Sequence, residues 1–108
     1  MAASLAEYKR RWRRRHLDIH KAVRRRAYLA KRAIIAKLRQ APCLDCGNSF
    51  PSYVMEFDHT RGAKVDTVGH MITKSTARFL EELSKCDLVC ANCHKVRTHT
   101  RRINASTT

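Results

Sequence analysis

Four cysteines stand in two identical spacings, Cys43-x2-Cys46 and Cys90-x2-Cys93. A two-residue spacer lets both thiolates of a pair reach one ion at about 2.3 Å, and two pairs complete a tetrahedral shell with no position left for water. Such a site holds a structural Zn²⁺, which would join residues 43–46 to residues 90–93. In zinc peptides this binding supplies about 10–16 kcal/mol, enough to decide whether a small body folds. The fifth cysteine, Cys86, reads as a small core residue, with substitution for one of the four ligands as the alternative. Between the pairs stands Asp58-His59; Asp87 lies just before the second pair and His94 directly after it. Imidazole can take a proton from water near neutral pH. Carboxylate and imidazole together suit Mg²⁺, Mn²⁺ or another divalent transition ion without choosing among them.

The stretches Phe57-Asp58-His59 and Cys86-Asp87-Leu88-Val89-Cys90-Ala91-Asn92-Cys93-His94 resemble the HNH endonuclease family, in particular its small phage-type members with a CxxC…CxxC zinc. The resemblance covers about residues 43–99, with Asp87 where the family more often has Asn. It implies a ββα-metal (His-Me finger) core and metal-dependent hydrolysis of phosphodiester bonds in DNA. It further implies His59 as general base and a catalytic divalent ion held by Asp58 and His94, the ion polarising the phosphate and easing departure of the leaving oxygen. Asp87 then takes the family's role of orienting the His59 imidazole through a hydrogen bond. Neighbours on a strand point to opposite faces. Asp58 and His59 can therefore meet at one point only if a strand end or bulge re-aims one of them, as it does in the family.

The elements that must position these groups are legible in outline, and they predict an α+β fold. Residues 1–41 lack Gly and Pro and are rich in Ala, Arg, Lys and Leu, all good helix formers. Apolar residues from Leu5 through Trp12, Ile19, Val23 and Ile34 to Leu38 recur mostly three or four apart, one stripe on a basic helix. Unbroken from about residue 4 to 39, that helix would be roughly 50 Å long; like charges at Arg24-Arg25-Arg26 are the expected place for a break. Pro42 ends this arm, and residues 42–108 form the zinc-stapled body. There, 53–57 alternates sides as a strand should, Ser75 can cap a helix whose Phe79, Leu80 and Leu83 share a face, 87–89 forms a second strand and 91–102 a final helix.

Charge names the partner. The 108 residues carry 23 Lys and Arg against 9 Asp and Glu, a net +14, of which residues 1–40 hold +12. So concentrated a positive charge is the footprint of a polyanion binder. Arg10, Arg11, Arg13, Arg14, Arg15, Arg24, Arg25 and Arg26 on the arm, with Arg61 and Lys64 beside Gly62 in the body, are the candidate contacts to phosphates. Duplex DNA is the expected partner, contacted through its backbone, since no base-reading module is visible. The apolar stripe packs on the body or on a second copy, and a membrane is not expected. His16, His20 and His70 read as structural, and His99, five residues past His94, lies too far round a helix to share its ion. No signal peptide or spanning segment is visible, so the chain reads as cytoplasmic, in a phage or bacterial setting. The competing function is a non-catalytic zinc-ribbon nucleic-acid binder that keeps the cysteine frame for structure alone.

Overall fold

The structure, a computed structural model, describes residues 3–106, and its architecture is α+β. Ser4 opens helix α1 (Leu5–Arg15) with a capping box: its hydroxyl accepts from the Glu7 N–H while Glu7 returns a bond to the Ser4 N–H. The basic arm is two helices, because α1 stops at His16 and α2 runs from Leu17 to Leu38. The break falls at His16 and not at Arg24-Arg25-Arg26, which lie exposed within α2. At His16 both the backbone N–H and the ring Nδ1 converge on the Trp12 carbonyl, at 3.0 and 2.6 Å, so the side chain competes for a helical acceptor. Three consecutive arginines, by contrast, splay about 100° apart around a helix into water and have no need to unwind it.

The chain then turns through Pro42 into the first cysteine pair, where Gly47 takes a φ of +74°, a conformation open to glycine. A 3-10 turn over Ser52–Val54, closed by a bond from the Val54 N–H to the Pro51 carbonyl, delays the first strand. Strand β1 is therefore Met55–His59, two residues later than the alternation suggested. Helices α3 (Val68–Met71) and α4 (Thr76–Ser84, capped by Ser75 as expected) lead to strand β2 (Cys86–Cys90), and helix α5 (Ala91–Ser106) follows without a loop. The strands pair antiparallel, with Asp58 opposite Asp87 and His59 opposite Cys86.

Two small cores hold these elements. Ile35, Val68, Met71 and Phe79 form one, with Phe57, Leu83 and Cys86 against it. Cys43, Met55, Val89 and Cys90 form the other, around the cysteine cluster. On α4 the buried pair is Phe79 and Glu82, whereas Leu80 lies exposed, so the expected apolar face is rotated by a carboxylate. The end of α2 belongs to the body: Ile35 is in its core, and the buried Lys31 ammonium donates to the carbonyls of Ile72 and Lys74. Residues upstream bury little, and α1 buries none. No helix among the described residues is long and apolar enough to cross a membrane.

Candidate metal centre and active site

The two cysteine pairs converge. The Sγ atoms of Cys43, Cys46, Cys90 and Cys93 all lie within 4.8 Å of one another. A tetrahedron of sulfurs about 2.3 Å from a central ion has edges of about 3.8 Å, so the cluster can hold a metal such as zinc. Backbone amides support it, with the Cys90 N–H on the Cys43 sulfur at 3.3 Å and the Cys93 N–H on the Cys90 sulfur at 3.4 Å. Burial opposes ionisation of Cys43, but backbone N–H groups of Cys46, Cys90 and Asp45 outweigh it and bring the thiol down to about 6. Cys93 goes the other way, up to about 12, through its hydrogen bond to Cys90, burial and the neighbouring sulfurs. Four sulfurs this close cannot all ionise without a cation among them, which is the chemistry of a thiolate metal site. Cys86 stays outside the cluster: it packs on the first core, and burial lifts its thiol to about 11.

Asp58 and His94 come together on the face of the strand pair that α5 covers. His94 Nε2 lies 3.4 Å from Asp58 Oδ1, and its Nδ1 lies 2.7 Å from Glu56 Oε1. With Nδ1–H donated to Glu56, Nε2 is left facing Asp58, with a lone pair if the imidazole is neutral and with a second N–H if it is protonated. A carboxylate behind an imidazole is how ligating histidines are commonly oriented. Glu56 was not foreseen, yet its signal is plain: it sits two residues before Asp58 and so shares its face.

Arginines complete this site. Arg97 bridges three acids, with Nε and Nη2 each 2.6 Å from Asp45 and Nη1 3.0 Å from both Asp58 and Asp87. Arg101 forks onto Asp58 at 2.8 and 2.6 Å. Arg101 above all, with Arg97 assisting against the cost of burial, holds the Asp58 carboxyl down at about 2. Neither arginine was singled out from sequence, although positions three and seven residues after His94 share its helix face. A carboxylate offers about four lone-pair sites. Three are taken by arginine N–H groups, and the one left on Oδ1 faces His94.

His59 stands apart from this group. β1 stays regular to its end, so His59 faces α4 while Asp58 faces α5. The expected hydrogen bond from Asp87 to His59 does not form; Asp87 accepts instead from Arg61 at 2.8 Å and from Arg97. The acid beside His59 is Glu82, whose carboxylate lies 3.8 Å from Nε2, too far for a hydrogen bond and leaving that buried nitrogen without one. Glu82 is itself held by Lys85 at 3.0 Å and by the Val65 N–H.

Of the candidate phosphate contacts, Arg61 is committed to Asp87, Thr60 and the carbonyls of Ser84 and Cys86, tying the loop after β1 to β2. Lys64 and the arginines of α1 and α2 (Arg10, Arg11, Arg13, Arg14, Arg15, Arg24, Arg25 and Arg26) all face solvent. His16 stacks on Trp12 at 4.0 Å and His20 meets its edge at 5.8 Å, while His70 pairs with Asp66. No family model matches the chain, and no curated protein or solved structure matches it.

Proposed function

We propose that this protein is a metal-dependent endonuclease of the HNH type, acting on duplex DNA, with a structural Zn²⁺ on Cys43, Cys46, Cys90 and Cys93. The observation that carries the reading is the line Glu56–His94–Asp58, an imidazole braced on one nitrogen by a carboxylate and aimed with the other at a second, buried carboxylate. Asp58 and His94 would hold Mg²⁺, Mn²⁺ or a similar divalent ion, which supplies charge neutralisation at the phosphate and a polarised water. Glu56 keeps the His94 tautomer that presents Nε2. In this reading His59, the last residue of β1, takes the proton from the attacking water, which requires its ring to turn from the α4 face, where Glu82 and not Asp87 is the carboxylate beside it, toward the Asp58 face. The arginines of α1 and α2 attract the DNA backbone.

A second reading has its own observation. Arg97 and Arg101 already neutralise Asp58, and His59 lies across the sheet from it. On those grounds the acids and arginines form a structural ion-pair network in a zinc-ribbon DNA binder that cuts nothing.

Incubating supercoiled plasmid with zinc-loaded protein separates the two. The endonuclease converts plasmid to nicked or linear form when Mg²⁺ or Mn²⁺ is added and not when the added ion is left out. The binder retards the plasmid on a gel and leaves it supercoiled under every ion.

A further inference from the structure

The two arginines on Asp58 differ in how firmly they are held. Arg97 makes bonds to three carboxylates and its side chain is 19% exposed. Arg101 directs its whole fork at Asp58, and its side chain is 49% exposed. Asp58 itself is 4% exposed, so any cation that replaces Arg101 must enter at the same place. An open groove of about 510 Å³ shares Glu56 and His94 with this cluster and is otherwise lined by Lys95, Thr98, His99 and Arg102. Lys95 and Arg102 give that groove the charge to take a phosphodiester chain.

We propose that Arg101 is a phosphate-binding residue that exchanges Asp58 for a nucleic-acid phosphate, so that nucleic acid and the divalent ion at Asp58 and His94 bind cooperatively. The inference rests on the ion site proposed above. A guanidinium fork fits a carboxylate and a phosphate with the same two parallel N–H bonds, so the exchange replaces one bidentate pair by another. What changes is the charge left behind. With Arg101 gone, Asp58 keeps a single bond to Arg97, and its Oδ1 faces His94 Nε2 3.4 Å away with no cation between them. A buried carboxylate left short of positive charge is costly, and a divalent ion there relieves the cost. By linkage the ion must then favour the phosphate-bound position of Arg101 by the same factor.

Mn²⁺ binding, read by the electron spin resonance of the free ion, tests this on the full-length zinc-loaded protein. A short phosphorothioate-protected DNA duplex is either present or absent. The duplex raises Mn²⁺ affinity by about tenfold, within the usual range of such couplings. Arg101→Met raises it by a similar factor without DNA, the duplex adds nothing further, and DNA binding loses about one unit of salt slope. Arg101→Lys, which keeps the charge but not the fork, falls between. Retained zinc stoichiometry shows that each variant folds. If Mn²⁺ binds the parent equally with and without duplex, or Arg101→Met leaves its affinity unchanged, the exchange is wrong while the ion site stands. If neither protein binds Mn²⁺ under any condition, the ion site and the exchange fall together.

Discussion

Asp58 and Asp87 face each other across the two strands as register partners, and one guanidinium nitrogen, Nη1 of Arg97, lies 3.0 Å from both. Like charges directly opposite on a strand pair repel. Arg97 turns that repulsion into a bridge and adds Asp45 from the first cysteine pair, so one side chain of α5 fastens β1, β2 and the knuckle together.

Arg97→Met should therefore destabilise the body by about 2–4 kcal/mol, somewhat less than the loss of an isolated buried partner because Arg101 still holds Asp58. The penalty has a pH signature. Arginine partners lower the carboxyls of Asp58, Asp45 and Asp87, Asp58 to about 2. A lowered carboxyl stabilises the fold fully above its unfolded value of about 3.9 and loses that contribution as pH falls through the folded value. Denaturant midpoints of parent and Arg97→Met should differ by a constant amount above about pH 5 and converge towards pH 2, the cysteine cluster being common to both proteins. A gap independent of pH would mean that Arg97 acts through packing alone.

Zinc removal should unfold the body and spare the arm. Cys43 and Cys90 are buried in the second core, whereas Cys46 is exposed. Cys43→Ser and Cys90→Ser should cost folding as well as metal, and Cys46→Ser should be milder. Elemental analysis of the parent should return one zinc per chain, and circular dichroism after chelation should keep the helical signal of α1 and α2 while thermal cooperativity vanishes. A metal-free protein with an unchanged melting transition would contradict the staple.

Truncation should reveal where the arm ends. Removing residues 1–23 deletes seven basic residues and no core residue, so the body should stay folded while the salt dependence of DNA binding flattens, fewer counterions being released. Removing residues 1–39 also takes Lys31 and Ile35, and the product should be poorly folded. Ile35→Ala alone should cost about 2–4 kcal/mol, as truncation of a buried isoleucine does. Equal stability of the two truncated proteins would show that α2 is dispensable to the core.

The contrast between those truncations marks how far the sequence was legible. Cysteine spacing is a local code, so the cluster and its members could be read directly, as could the Ser75 cap and the strand at 87–89, which extends one residue further at each end. The boundary after residue 41 was drawn from charge, and charge does not reveal that Ile35, with Ile34 packed beside it, belongs to the core of the body while Ala36 and Lys37 face water. The break at His16 depends on a ring nitrogen reaching one carbonyl, and nothing in residue spacing announces that. Period-two alternation correctly put Asp58 and His59 on opposite faces. The expected re-aiming, and with it the bond from Asp87 to His59, came from family likeness and is absent from this regular strand.

His59→Ala tests the general base. If His59 takes the proton, the rate should fall by roughly 10²–10⁴-fold while DNA and zinc binding are kept, because His59 touches neither the cysteine cluster nor Asp58. Glu82→Gln should follow it in direction with a smaller loss. Cleavage by His59→Ala at the parental rate would make His59 a structural residue of the α4 face and require another base.

The plasmid cleavage rate of His94→Ala as a function of Mn²⁺ tests whether Asp58 and His94 hold the ion on which the proposed cleavage depends. Zinc-loaded His94→Ala should bind DNA as the parent does, cleave at least about 100-fold more slowly at low Mn²⁺, and recover part of the rate as Mn²⁺ is raised, as expected when one ligand of a catalytic ion is lost. Parental cleavage by His94→Ala at the same Mn²⁺ requirement would mean that His94 is no ligand of the ion.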